Sequence, residues 1–203
     1  SSQVWQLSLT GGEAKQISHF PLDVNGFKLS KNEQVFALSF TVKPGCADLA
    51  CTVAAKKADT EKKYNVRAYD HLMVRHWDKW TTEYKEHLYV AHKNSQDELT
   101  QAQSVMQDWQ SDFAGISQVS IHPDGNALVF AAKDSSTTAL TKTHAWTTNF
   151  DLFEVALTHT SEQPQTQFEL VNITQDNQAW DASPVYSANG RFLAYKAMKT
   201  PGY

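Results

Sequence analysis

The chain has 203 residues, 41% hydrophobic and 20% charged, the balance of a folded protein and not of a disordered one. Its 18 basic and 22 acidic residues leave a net charge of −4, which argues against a nucleic-acid partner, and no apolar run reaches membrane-spanning length. The opening SSQVWQLSL lacks the basic start and long apolar stretch of an export signal, although a mature exported chain reads the same way.

In chain order, WQLSLTGG at 5–12 alternates apolar and polar residues, so Trp5, Leu7 and Leu9 share one face of a strand. A short strand ending at Ile17-Ser18 follows, and then a turn, Ser30-Lys31-Asn32-Glu33, before an apolar strand from Val35 to Phe40. Residues 41–85 read as an insertion. They contain PGCADLACT and a Lys-rich stretch, AAKKADTEKKYNVR, expected as a short exposed helix.

The strand HLYVAH at 87–92 loosely repeats the first pattern, and Leu99-Thr100 repeats its aliphatic–hydroxyl ending. The turn then recurs as His122-Pro123-Asp124-Gly125, followed by a strand from Ala127 to Ala131. FEVALTHT at 153–160 and Ile173-Thr174 complete that copy. Ser187-Ala188-Asn189-Gly190 and the strand Phe192 to Ala197 begin another. Asp-Gly and Asn-Gly favour a two-residue hairpin turn with both positions at positive φ; the first copy lacks the glycine.

The order of parts is strand, turn, strand, then strand, loop, strand. It predicts an all-β chain of four-stranded antiparallel units: 1–18 (partial), 26–100, 117–174 and 179–203 (partial). The turns begin at 30, 122 and 187, so 92 and then 65 residues separate them. Both gaps exceed the ~40–50 residues of a propeller blade, so both units carry insertions. The reading is a partial β-propeller with about three blades' worth of strands. An incomplete ring leaves two edges unpaired, which invites dimerisation.

Cys46 and Cys51 are close enough to close a loop after Pro44-Gly45. A disulfide there points to an exported protein; the other reading is two free thiols. Of the eight histidines, His71, His76, His87 and His92 cluster in sequence. His87 and His92 are five apart and fall on opposite strand faces, so no metal site is expected. No cofactor motif is present. Asn172-Ile173-Thr174 matches a glycosylation sequon, but its place at a recurring strand end favours a structural hydroxyl.

Arg75, Trp77 and Asp78 form the most unusual cluster. Pointing into a channel, Arg75 would suit a peptide carboxylate and Asp78 an α-amine. The structural alternative is an Arg75–Asp78 pair, with Trp77 and Trp80 packed between blades.

YDHLMVRHWDKW (69–80) with the following HLYVAH, AWTTNFDLFEV (145–155) and AWDASPVYSANGRFLAYKAMKTPGY (179–203) resemble the N-terminal propeller of the prolyl oligopeptidase family of serine peptidases. The dipeptidyl-peptidase and acylaminoacyl-peptidase branch is the nearest in pattern, and CADLAC is similar to it too. The resemblance implies a non-catalytic propeller that gates access for short peptides to an α/β-hydrolase domain, in a periplasmic or secreted enzyme. It implies cleavage near the substrate's N-terminus through an acyl-enzyme. The chain has no G-x-S-x-G elbow, so no catalytic residue can be assigned in it and it is expected to be inactive alone. The adjacent Glu-Glu by which some relatives hold the substrate's N-terminus is also missing. The alternative function is a stand-alone periplasmic propeller that binds partners, since such propellers use similar hairpins.

Overall fold

The computed structural model describes residues 1–64, 66–69, 74–107, 109–133, 147–157 and 167–202. It is mostly β. Parts of five stretches quoted above, namely residues 65, 70–73, 145–146, 158–160 and 203, lie outside the described residues, His71 among them.

A hairpin of β1 (Trp5–Gln6) and β2 (Lys15–Gln16) comes first. Sheet 1 follows, from β3 (Gly26–Leu29), β4 (Val35–Val42), β7 (Lys85–His92) and β8 (Gln103–Ser104) in that spatial order. Between β4 and β7 lie helix α1 (Leu49–Glu61) and a small hairpin of β5 (Arg75–His76) and β6 (Lys79–Trp80). Sheet 2 is β9 (Val119–Ile121), β10 (Ala127–Ala132), β11 (Asp151–Ala156) and β12 (Leu170–Asn172). A hairpin of β13 (Asp181–Tyr186) and β14 (Leu193–Ala197) ends the series. All named pairings are antiparallel.

The central strands are apolar on both faces, so each sheet needs a cover on both sides. Val35, Ala37, Leu88 and Val90 of sheet 1 pack against Leu128, Phe130, Phe153 and Val155 of sheet 2. The opposite face of sheet 1 carries Phe36, Leu38, Phe40 and Tyr89, and is covered by Val4, Ile17, Phe20 and Leu99. There Phe40 sits edge-on to both Phe20 and Tyr89, at 5.3 and 5.2 Å. The opposite face of sheet 2 carries Val129, Ala131 and Leu152 and is covered by Ala182, with Trp180, Tyr186 and Leu193. The layers therefore stack in chain order.

The first strands of successive layers are tied side by side. Lys28 Nζ on β3 donates to the carbonyls of Ser117 (3.1 Å) and Val119. Ser183 and Tyr186 on β13 donate their N–H groups to Gln118 Oε1 and Ser120 Oγ. Ser183 lies in a bulge of β13 at φ 56°, which turns its N–H away from the ladder.

One hydrogen-bond pattern recurs three times where a layer ends. Ile17 N–H donates to Val4 O, Val105 to Leu88 O, and Ile173 to Leu152 O. The return bonds run from Val4 N–H to Ser18 Oγ and from Leu152 N–H to Thr174 Oγ1, while Leu88 N–H meets Met106 Sδ at 3.4 Å. A third bond leads into the next layer: Val24 to Ser2 O, Phe113 to Glu86 O, Asp181 to Phe150 O. The outer strand of sheet 1 is thus Gln103–Ser104, and not the segment ending at Leu99-Thr100. Leu99 instead bridges in parallel to Ser18 and donates to Ile17 O at 2.7 Å. The thioether of Met106 occupies the hydroxyl's place, which hides this copy from a search for Ser or Thr.

The three turns share one geometry as well. The fourth residue donates to the first residue's carbonyl: Glu33 to Ser30, Gly125 to His122, Gly190 to Ser187. Only that fourth residue has positive φ, at 57°, 74° and 67° respectively. These are not two-residue turns with two positive φ values. Asn32 and Asn189 are not at positive φ, and their side-chain carbonyls accept the N–H two residues on, from Gln34 and Arg191. The turns also touch in sequence order. Asn32 Nδ2 donates to Asp124 O, and His122 Nε2 lies 3.2 Å from Gly190 O.

The expected Lys-rich helix is found, but it begins earlier, at Leu49. Asp48 Oδ1 caps it by accepting the Cys51 N–H, and the chain leaves the helix after Glu61.

Glu33 holds a left-handed conformation that the other turns give to glycine. Glu33→Gly is expected to raise stability by about 0.5 to 1 kcal/mol, seen as a higher urea midpoint at unchanged slope. Gly190→Ala is expected to lower it by about 1–3 kcal/mol, because φ is 67° and the new Cβ would lie 2.2 Å from His122 Nε2.

Candidate functional site

The insertion between β4 and β7 carries the residues singled out in the sequence. Its base is α1, fixed to the end of β4 by Lys43 N–H donating to Thr52 Oγ1 and by Lys56 Nζ donating to Thr41 O. The far end of α1 is held by Asp59, which accepts from Tyr84 Oη and pairs with Lys62, both at 2.5 Å. Those two partners hold the Asp59 carboxyl below its usual range, while burial and Asp59 push the Tyr84 phenol up. Cys46 and Cys51 are joined as a disulfide, with Cα atoms 5.5 Å apart, tying the Pro44-Gly45 loop to the first turn of α1.

The β5–β6 hairpin stands out from this base. Thr81 N–H donates to Val74 O and closes its foot. Tyr69 stacks on Trp80 at 6.2 Å and donates its hydroxyl to Thr81 O. Trp77 and Asp78 form the two-residue tip, and Trp77 is 83% exposed at φ 50°. That conformation favours glycine, so a tryptophan there carries strain of roughly 1–2 kcal/mol. Arg75 and Asp78 are both exposed and make no ion pair with each other. Arg75, Trp77 and Asp78 are thus gathered on one protruding hairpin, with Trp77 at its tip and not packed between the sheets.

His87 and His92 lie in β7. His87 is buried in β7, its ring nitrogens without a hydrogen bond of good geometry among the described residues. Burial pushes it down to about 4, against a weaker upward pull from Asp112 and the backbone of Trp109 and Ser111. His92, half-buried, is lowered by burial too. Among the described residues no three His, Cys, Asp or Glu side chains converge as metal ligands do. The burial of His87 has no sequence signal beyond its place in an apolar strand.

The sequon is used internally. Asn172 Nδ2 donates to Asp151 Oδ2, Asn172 Oδ1 accepts from Thr174 N–H, and Thr174 Oγ1 is the strand-end acceptor. A glycan on Asn172 would break that set.

No protein-family model matches the chain. It is similar to a protein named dipeptidyl-peptidase 5 from Porphyromonas endodontalis, 24% identical over 199 residues. The match covers 95% of this chain but 26% of that protein, so the chain spans about a quarter of the relative's length. This is a coarse link to a peptidase.

Because His87 is held neutral, the unfolded chain takes up a proton near pH 6.5 that the folded chain refuses until about pH 4. Stability from this residue is full above pH 6.5 and falls as pH drops through that window, by roughly 3 kcal/mol. Denaturant titrations from pH 7 to 4 should show the loss in the native chain and a shallower slope in His87→Leu.

Proposed function

We propose that the chain is a non-catalytic part of the β-propeller of a serine exopeptidase of the prolyl oligopeptidase family. The parent enzyme, in this reading, removes dipeptides or acylated residues from the N-terminus of short peptides, in the periplasm or after secretion. The blades are approximately 1–18 (partial), 26–104, 117–174 and 179–203 (partial), and they restrict access to a hydrolase domain outside this chain. The observation that carries the reading is the threefold hydrogen-bond repeat on sheets stacked in chain order. It accompanies a likeness to dipeptidyl-peptidase 5 that runs along almost the whole chain. The disulfide supports an oxidising compartment.

The β5–β6 hairpin supplies the substrate contact in this reading. Arg75 offers a bidentate donor to a peptide carboxylate, Asp78 an acceptor for an α-amine, and Trp77 an apolar surface between them. The strained backbone at Trp77 fits a residue retained for binding.

The test compares this chain with its parent polypeptide, using dipeptidyl and N-acetyl-aminoacyl chromogenic substrates and a serine-directed fluorophosphonate. Turnover and labelling by the parent alone are expected, and the preferred substrate assigns the branch. A parent that neither labels nor turns over contradicts the assignment. In the active parent, Arg75→Ala or Asp78→Ala should raise KM by about tenfold with kcat nearly unchanged, the loss of one charge-assisted hydrogen bond.

A further inference from the structure

One position recurs beside each of the three strand-end bonds. It is held by Gln3 between Ser2 and Val4, by His87 between Glu86 and Leu88, and by Asp151 between Phe150 and Leu152. In the first copy the Gln3 amide ties down the segment that leads on to the next layer. Its Nε2 donates to Phe20 O and Leu22 O, and its Oε1 accepts from Ser18 Oγ and Phe20 N–H. In the third copy both Asp151 carboxylate oxygens accept, from Asn149 Nδ2 and Asn172 Nδ2. The middle copy puts a histidine at this position.

His87 is 1% exposed. The backbone of Trp109 and Ser111 lies against its ring, yet neither ring nitrogen has a hydrogen bond of good geometry among the described residues. Residues 109–113 are fastened at both ends. Trp109 N–H donates to Met106 O, Phe113 N–H donates to Glu86 O, and Asp112 Oδ1 accepts from Glu86 N–H. Trp109 also stands edge-on to Phe153 at 4.9 Å, so this segment joins sheet 1 to sheet 2. The charged groups around the ring are Asp112 of the segment and Lys85 of β7, and β4 sets Phe40 opposite it. A neutral imidazole has one donor, where the Gln3 amide makes two bonds to carbonyls. An imidazolium has two donors, but it must leave water to occupy this place.

We propose that residues 109–113 form an acid-released strap: neutral His87 lets the segment close over β7, and protonated His87 holds it open, loosening the joint between sheets 1 and 2. The closed strap accepts the neutral ring, because burial outweighs the pull of Asp112 and of the two backbone groups. In the open strap the ring is in water and takes up a proton near pH 6.5. The closed state binds that proton more weakly, so the strap is fully closed above pH 6.5 and opens increasingly as pH falls toward 4. Opening releases the contacts of Trp109, Asp112 and Phe113 and leaves the ladders of the two sheets in place, the pattern of a local opening. It uncovers the Phe130 and Phe153 rings against which Trp109 packs. Gln3 carries no titrating group, so the equivalent connection in the first copy has no such release.

Hydrogen exchange of the native polypeptide, read by mass spectrometry from pH 7 to 4 and corrected for the chemical exchange rate, follows the strap directly. Protection over residues 109–113 is expected to fall about a hundredfold across that range, while the central strands β4 and β10 stay protected. His87→Gln installs the side chain that the first copy uses and removes the titration, so its strap should stay closed throughout. His87→Leu should give the same flat profile by a route that needs no hydrogen bond. Strap protection that is unchanged between pH 7 and 4 in the wild type overturns the proposal. So does a loss that the strap and the central strands share at every pH, which is global unfolding. A loss that survives in His87→Gln and His87→Leu but disappears in Asp112→Asn assigns the switch to Asp112 and also overturns it. None of these readouts involves peptide hydrolysis, so an inactive parent and a strap that fails to open are separate outcomes.

Discussion

The rest of the structure depends on sheets that are apolar on both faces. β4 buries Val35 and Ala37 on one side and Phe36, Leu38 and Phe40 on the other. Such a strand cannot face water on either side without leaving several large side chains exposed, at about 1.5–3 kcal/mol each. Every sheet therefore requires a neighbour in front and behind. The chain meets this need by laying down its layers in sequence order, with the last hairpin covering one side of sheet 2 and the N-terminal segment one side of sheet 1.

The hydrogen-bonded turns and strand ends set where each layer sits. A turn with one left-handed residue joins the first two strands of each layer, and successive turns contact one another through Asn32, Asp124, His122 and Gly190. At the other end of the layer, the strand-end bond to Ser18, Met106 or Thr174 turns the chain toward the next sheet. The large insertion then projects from sheet 1 without disturbing this frame. Its disulfide and its Asp59–Tyr84 bond anchor the segment that carries the Trp77 hairpin.

Much of the frame was legible because alternation and turn chemistry are local. The strands at 35–40 and 127–131 can be read as short apolar runs after a turn, that at 153–157 from a period-two pattern, and the turns from Ser-x-Asn and Asp-Gly. The boundary of sheet 1 could not be read from such patterns. Met106 does with sulfur what Ser18 and Thr174 do with a hydroxyl, and Leu99-Thr100 imitates the ending while packing elsewhere. The Glu33 turn was visible only as a weak match, because its left-handed residue is not glycine. The β5–β6 hairpin was hidden for a similar reason, since Trp77 sits where a hairpin signal needs glycine. The Arg75–Asp78 cluster was legible as an oddity, but its place on a protruding hairpin depends on the long-range anchoring of α1 and Tyr84.

In the proposed propeller, each four-stranded sheet is one of a series, flanked on both sides by its like. An electron-density map of the parent polypeptide tests it most directly. Further four-stranded sheets of the same turn geometry are expected beyond β14, arranged around a common axis with β3, β9 and β13 innermost. A map in which sheets 1 and 2 form a closed two-sheet sandwich, with no sheet beyond either, would contradict it.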